Sequence, residues 1–286
     1  MNAPLTDSES AQFVSWFRQS LPYMQTFRDQ TFVIVLDGYA IADNRFQTHI
    51  QDIALLHSIG IKTVIVHGAE PQAIEQLQQQ KLLTENRLPD IIDANMMPWM
   101  QQSIGNVKSK IEAQISLGVS NSPLAGHRIR VATGNYLTAL PKGVIDGRDH
   151  LFAGKLRKVD TDAIKRQLKD ASIVLVSPLG YSFTGEMFYL DAKEVATRIA
   201  LSIKAAKLIF LTEDSLIRTQ EGELIRELTL SQADDLLTEC PSVALNQAVS
   251  ACRQGIKRSH LLDHHQNGAL LVELFTRDGP PRSSSY

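Results

Sequence analysis

Two loops hold the residues whose types and spacing suit chemistry. Residues 31–36 (TFVIVL) run into Asp37-Gly38, and residues 61–66 (IKTVIV) run into His67-Gly68-Ala69-Glu70-Pro71. Glycine lets a backbone approach an anion closely, and a following helix N-terminus offers unpaired N–H groups. That combination can cradle a phosphate. The charges oppose it. Val35, the last residue but one of the first run, is apolar, and Asp37 and Glu70 put carboxylates where a phosphate would lie. Phosphoryl transfer needs cations around the transferred group, so these residues alone argue against a kinase site. A glycine after a strand also reads simply as a tight turn. Elsewhere, His264-His265 suggests a metal, but neighbours on a turn are expected to point apart and no third ligand stands at metal spacing. No metal and no cofactor are expected. His260 reads as a satisfied core histidine, Glu273 as a solvated helix residue and Cys252 as a small buried one.

The elements that must position these loops follow from pattern and composition. The chain has 286 residues with 29 basic and 31 acidic side chains, a net charge of −2. That length buries a sizeable core, and the charge provides no field for a polyanion, so no nucleic-acid partner is expected. No run reaches membrane-spanning length. Two cysteines, Cys240 and Cys252, cannot build a disulfide framework, and a cytoplasmic location is expected. Apolar β-branched runs alternate with helical spacing, which predicts an α/β fold: a three-layer α/β/α sandwich with a mostly parallel sheet. Its central strands are expected at 32–36, 63–66, 173–176 and 208–211, with a further strand at 258–263. Helices are expected at 49–60, from Pro71, 94–117, 191–206, 230–239, 242–255 and 268–275. Residues 127–140 read as a hairpin around Thr133-Gly134-Asn135. Residues 8–28 predict an amphipathic helix capped by Ser8 or Ser10 and ended or kinked by Pro22. Its stripe of Phe13, Val14, Trp16, Phe17 and Leu21 packs either on its own domain or on a neighbouring subunit.

The strings VIVLDGYAI (33–41), VIVHGAEPQ (64–72), SPLGYSFTGE (177–186), KLIFLTED (207–214) and the stretch 250–279 resemble the amino-acid-kinase, or carbamate-kinase-like, fold. WFRQSLPYMQTFRDQTFVIVL (16–36) narrows the resemblance to the bacterial N-acetylglutamate synthases. The resemblance implies an oligomerisation helix at 1–28, a kinase-like domain at 29–279 that senses L-arginine, and the start of a linker at 280–286. It also implies a homo-oligomer, dimer or hexamer. In that family a separate domain transfers acetyl from acetyl-CoA to glutamate, and no acetyl-CoA loop is found in this chain. Set against the related acetylglutamate kinases, the phosphate-facing lysines fall at Val35 and Ser250, and a substrate-holding arginine at Asp90. The loop glycines are reduced to Gly38 beside Asp37 and to Gly68-Ala69-Glu70, and an organising aspartate is Lys193. Losing several groups that act as a unit leaves little transition-state stabilisation. The arginine positions are better kept: His260, Glu273 and Gly279, with Tyr23 from the helix and backbone carbonyls near Leu262. Gln19 and Pro280-Pro281 depart from the family pattern. The resemblance thus implies an arginine-sensing domain without kinase chemistry. An active acetylglutamate kinase and a ligand-free oligomerisation scaffold are the alternatives.

Overall fold

The computed structural model describes residues 6–117, 129–213, 227–239 and 241–276. Its elements in chain order are α1 (Asp7–Phe27), β1 (Thr31–Leu36), α2 (Gly38–Ala42), α3 (Phe46–Ser58), β2 (Lys62–His67), α4 (Glu70–Gln79), α5 (Met97–Ser116), β3 (Arg130–Ala132), β4 (Leu137–Pro141), β5 (Val144–Ile145), β6 (Arg148–Asp149), β7 (Gly154–Val159), α6 (Thr161–Lys169), β8 (Ser172–Val176), β9 (Leu179–Tyr181), β10 (Met187–Tyr189), α7 (Ala192–Ile203), β11 (Lys207–Thr212), α8 (Leu230–Glu239), α9 (Val243–Arg253), β12 (Ser259–Asp263) and α10 (Ala269–Phe275).

Strand side chains alternate between faces, and here both faces are apolar. On one face Val33, Val35, Val64, Val66, Val174, Val176, Leu208 and Phe210 pack against α6, α7 and α9. On the other, Phe32, Ile34, Leu36, Ile65, Ile173, Leu175, Ile209 and Leu211 pack against α3, α5 and α10. Such strands need helices on both sides, and the expected three-layer sandwich results. The sheet order is β12-β11-β1-β2-β8-β3, and every pair in it is parallel. The four expected central strands are all interior to this sheet.

Three expectations fail. The hairpin at 127–140 does not form: β3 pairs in parallel with β8, whereas β4 pairs with β7 and β9 in a second, four-stranded sheet ordered β10-β9-β4-β7. A two-sided apolar β8 needs a neighbour on its open edge, and β3 supplies it. The cap of α1 is Thr6, which shares a capping box with Glu9, rather than Ser8 or Ser10. Pro22 does not end the helix, which runs on to Phe27. The second half of α1 lies against α10, with Ser20 Oγ 3.2 Å from the Phe275 carbonyl oxygen and Phe27 packed near Phe32 and Phe275. Its outer stripe stays exposed: Phe13 is 56% and Phe17 44% accessible.

One acidic side chain is out of place in this packing. Asp52 on α3 is buried, and its Oδ2 has no hydrogen-bond partner. Burial pushes its carboxyl up to about 7. A folded-state value above the unfolded one means that the native state holds the proton more tightly, so this group makes stability fall as pH rises from about 4 to about 7. Asp52→Asn is therefore expected to raise the unfolding free energy by on the order of a few kcal/mol at pH 8 and by little at pH 4, measured by urea denaturation at the two pH values.

Candidate functional site

At the carboxyl ends of the central strands, β1 passes into Asp37, which caps α2 by accepting from the Tyr39 N–H. Asp37 is 7% exposed. A buried carboxylate needs a cation and donors, and both are present. Lys193 Nζ, on the first turn of α7, lies 2.7 Å from Asp37 Oδ2, and Thr212 Oγ1, at the end of β11, donates to the same oxygen at 3.3 Å. Burial opposes the charge on Lys193, but Asp37 outweighs it and holds the ammonium above the ordinary lysine range. Against the acetylglutamate kinase pattern, Lys193 stands in place of an aspartate and Asp37 in place of a glycine. Structurally these are two halves of one ion pair.

The two glycine loops lie against each other rather than around an open cradle. A Cβ at Gly68 would come 2.8 Å from the Gly38 nitrogen, and one at Gly38 would come 2.5 Å from Pro71 Cδ. Gln72 Nε2 donates to the Gly38 carbonyl at 2.8 Å. Ala69 is buried and Glu70 opens α4. Val35 lies in the core. Asp90 and Ser250 hold local roles: the Asp90 carbonyl meets His150 Nδ1, and Ser250 Oγ accepts from Gln254 on the same helix. His67, unassigned from the sequence, ties two strand ends together. Its Nδ1 faces the Gly68 carbonyl at 3.1 Å, so Nδ1 carries the proton and Nε2 accepts from Ser177 Oγ at 2.8 Å. Burial pushes its imidazole down to about 4, so the ring is neutral at pH 7. The loops thus hold a closed polar cluster around the Asp37–Lys193 ion pair.

A second cluster stands at the other end of β11. Lys207 Nζ lies 2.9 Å from His260 Nε2, and His260 Nδ1 lies 2.8 Å from Glu273 Oε1. Ammonium only donates and carboxylate only accepts, so the imidazole accepts from Lys207 at Nε2 and donates to Glu273 from Nδ1. Burial keeps this histidine below its usual range despite the Glu273 hydrogen bond. Lys207 is also lowered by burial, against the pull of Glu273. The Lys207 ammonium sits 5.3 Å from the Phe27 ring centre, and Phe27 pairs with Tyr23. The structure therefore brings His260 and Glu273 together, while Tyr23 stands one turn from Phe27 on α1 and is not among the cavity-lining residues. Lys207 belongs with His260 and Glu273, and was missed; its signal was a cation opening an otherwise apolar strand. Leu262 is buried, with its side chain in the core. Gly279 and Pro280-Pro281 lie outside the described residues. A cavity of about 460 Å³ opens beside the cluster, between Ser259, His260 and Glu273 on one wall and Ala233, Leu245 and Val249 on the other. Glu227, Lys257 and Arg258 stand at it, with Arg258 3.8 Å from Glu227. Cys252 is half-buried on the cavity wall, not fully buried, and Cys240 lies outside the described residues.

The two adjacent histidines do not point apart. The rings of His264 and His265 are 4.0 Å centre to centre, because the turn after β12 folds both toward Asp43.

Residues 30–263 match the family model described as the amino acid kinase family. The amino-acid acetyltransferase of Proteus mirabilis is 41% identical over 280 residues, 94% of this chain and 63% of that protein. The one from Ectopseudomonas mendocina is 42% identical over 273 residues, 93% of this chain and 63% of that protein. The chain thus spans just under two-thirds of the length of these relatives. Among solved structures, N-acetylglutamate synthase from Neisseria gonorrhoeae complexed with coenzyme A and L-arginine superposes with a TM-score of 0.85 at 35% identity, over 93% of this chain and 64% of that one. Giardia carbamate kinase shares the fold at a TM-score of 0.59 and 16% identity, over 85% of this chain and 95% of that one. The resemblance read from the sequence is present in both sequence and structure.

Removing one partner of a buried ion pair strands the other, at about 3–5 kcal/mol. Lys193→Met is expected to lose stability on that scale at pH 7, and Asp37→Asn/Lys193→Met clearly less, in guanidinium melts. Because the Lys193 value is raised on folding, its stabilisation is complete below about 10.4 and fades as pH rises through the higher folded value. The gap between Lys193→Met and wild type is therefore expected to stay constant through neutral pH and to narrow only at strongly alkaline pH.

Proposed function

The chain belongs to the amino acid kinase family, and from that premise we propose that it is the arginine-sensing regulatory domain of an N-acetylglutamate synthase, with no phosphoryl transfer of its own. One observation carries the reading: a half-buried carboxylate, Glu273, is held in place by His260 and Lys207 at a cavity large enough for an amino acid. A carboxylate has about four acceptor positions, so Glu273 can keep the His260 bond and take a guanidinium or ammonium as well. The ligand carboxylate then faces Lys257 and Arg258, and Tyr23 closes the α1 side. The L-arginine in the Neisseria gonorrhoeae relative's complex supports this ligand class. Acetyl transfer from acetyl-CoA to glutamate, the first step of arginine biosynthesis, is the reaction this domain would regulate in a whole synthase.

The kinase alternative is disfavoured by the cleft. A nucleotide phosphate needs uncommitted cations, yet Lys193 is bound to Asp37, and Glu70 and Asp191 act on Lys193 as further negative charges. The loop glycines contact each other where a phosphate would enter.

Assembly follows the same reading. The exposed stripe of Phe13, Val14, Trp16, Phe17 and Leu21 is the contact we assign to a homo-oligomer, a dimer or hexamer built through α1. Phe13 and Phe17 stack on each other at 6.2 Å on that outer face, so changing them leaves the α1–α10 packing intact. No helix among the described residues is long and apolar enough to cross a membrane.

Four measurements check these proposals. L-arginine at millimolar concentration is expected to raise the Tm of the wild type, while MgATP with N-acetylglutamate yields no phosphorylated product. Loss of a charge-assisted contact corresponds to about 1.5–3 kcal/mol, so Glu273→Gln should weaken arginine binding roughly tenfold or more. An unmoved wild-type Tm would favour the ligand-free scaffold. By light scattering, Phe13→Glu/Phe17→Glu is expected to run at a smaller assembly mass than wild type; an unchanged mass would remove α1 from the interface.

A further inference from the structure

The turn after β12 carries a group of side chains that neither the cleft nor the effector cavity uses. One ligand atom from each of Asp43, His264 and His265 lies within 4.8 Å of the others. Asp43 is the residue that caps the C-terminus of α2, so it comes from a distant part of the chain. Asp263, the last residue of β12, fixes His265 twice: its Oδ1 accepts from the His265 backbone N–H at 2.8 Å and faces the ring Nδ1 at 3.0 Å. A carboxylate accepts, so Nδ1 carries the ring proton and Nε2 presents its lone pair, 4.0 Å from Asp43 Oδ2. A carboxylate holding one imidazole nitrogen while the other faces outward is the arrangement that orients a metal-ligating histidine. His264 is 1% exposed, and its Nδ1 is buried with no hydrogen-bond partner among the described residues. An unsatisfied buried polar atom demands a physical reason, and a bound ion is one. The other ring nitrogen of His264, Nε2, lies 3.9 Å from Glu213 Oε1, just past the end of β11.

We propose that Asp43, His264 and His265 form a binding site for one divalent transition-metal ion of the zinc class. Two imidazoles and a carboxylate suit zinc, nickel or cobalt and not magnesium or calcium, which take oxygen ligands. Tetrahedral zinc with bonds of about 2.0–2.1 Å places its ligand atoms nearer together than they stand here, so binding draws the group inward. The half-exposed His265 has room to turn. Arg45 Nη1 shares Asp43, 3.4 Å from both carboxylate oxygens, and is itself 40% exposed, free to swing to solvent as the cation replaces it. The consequence is mechanical. The ion pins the turn leading into α10, which carries Glu273, to α2, which begins at Asp37. It thus braces the ends of both clusters described above. This inference stands on these side chains alone and does not depend on the arginine reading.

The test uses untagged full chain stripped with a chelator and titrated with Zn²⁺ against a chromophoric chelator, with Co²⁺ absorption as a spectroscopic readout. The expected result is one Zn²⁺ per chain, a visible tetrahedral Co²⁺ band, a Tm raised by Zn²⁺, and no shift with Mg²⁺ or Ca²⁺. His265→Ala changes a half-exposed side chain, and metal-free it should melt with wild type; it is expected to weaken Zn²⁺ at least tenfold and abolish the Co²⁺ band. Asp263→Asn, which alters only the orienting carboxylate, should weaken Zn²⁺ by ten- to a hundredfold. Absence of stoichiometric binding would overturn the proposal. So would binding that His265→Ala and Asp43→Asn leave unchanged, which would place the ion elsewhere.

Discussion

A carboxylate at the end of the central strand governs this structure. Asp37 follows β1, a strand flanked on both sides by buried parallel strands, so its charge lies where water is nearly excluded. It is stable there only because Lys193 and Thr212 converge on it from two other elements. That requirement fixes α7 against the β1–α2 loop and draws the β2–α4 loop down onto it, glycine to glycine. The same convergence commits Lys193 to Asp37. A fold built to bind an anion at its strand ends instead carries its own anion, already neutralised.

The strand β11 connects this closed end to the open one. It begins at Lys207, in hydrogen bond with His260, and ends at Thr212, in hydrogen bond with Asp37. Six residues of parallel strand span roughly 17–20 Å. The Lys207–His260–Glu273 relay joins one cation and one anion through a neutral ring. On the proposed arginine reading, a cationic ligand at Glu273 would act on this chain of hydrogen bonds at one end of β11 and β12. The two ends share a rigid, apolar strand, which moves as a body rather than bending.

Much of this was legible in the sequence. Runs such as FVIVL and IVLV are apolar at every position, and only a sheet covered on both faces accommodates that, so the sandwich and its four inner strands followed. Glu273 and His260 were legible through resemblance. What was hidden is pairing over distance. Lys193 was visible as a lost aspartate but not as the partner of Asp37, because 156 positions separate them and only α7 packing on β1 brings them together. The 127–140 segment carried a turn signal, yet its halves joined different sheets, because strand pairing is settled by which edge lacks a neighbour. The turn at His264-His265 was misread for a similar reason: adjacent side chains diverge on a regular turn, but Asp263 holds one ring and the core holds the other, so the two face the same way. The small strands β5, β6, β7, β9 and β10 have no apolar run long enough to announce them.

Hydrogen–deuterium exchange, read peptide by peptide with and without L-arginine and again with MgATP, tests the central claim most directly. The account predicts that arginine slows exchange in the second half of α1, in β12 and in α10, leaves the loops around Asp37 and Gly68 unchanged, and that MgATP protects nothing. Protection of the 37–40 and 68–72 loops by MgATP, with no arginine effect at α10, would contradict it.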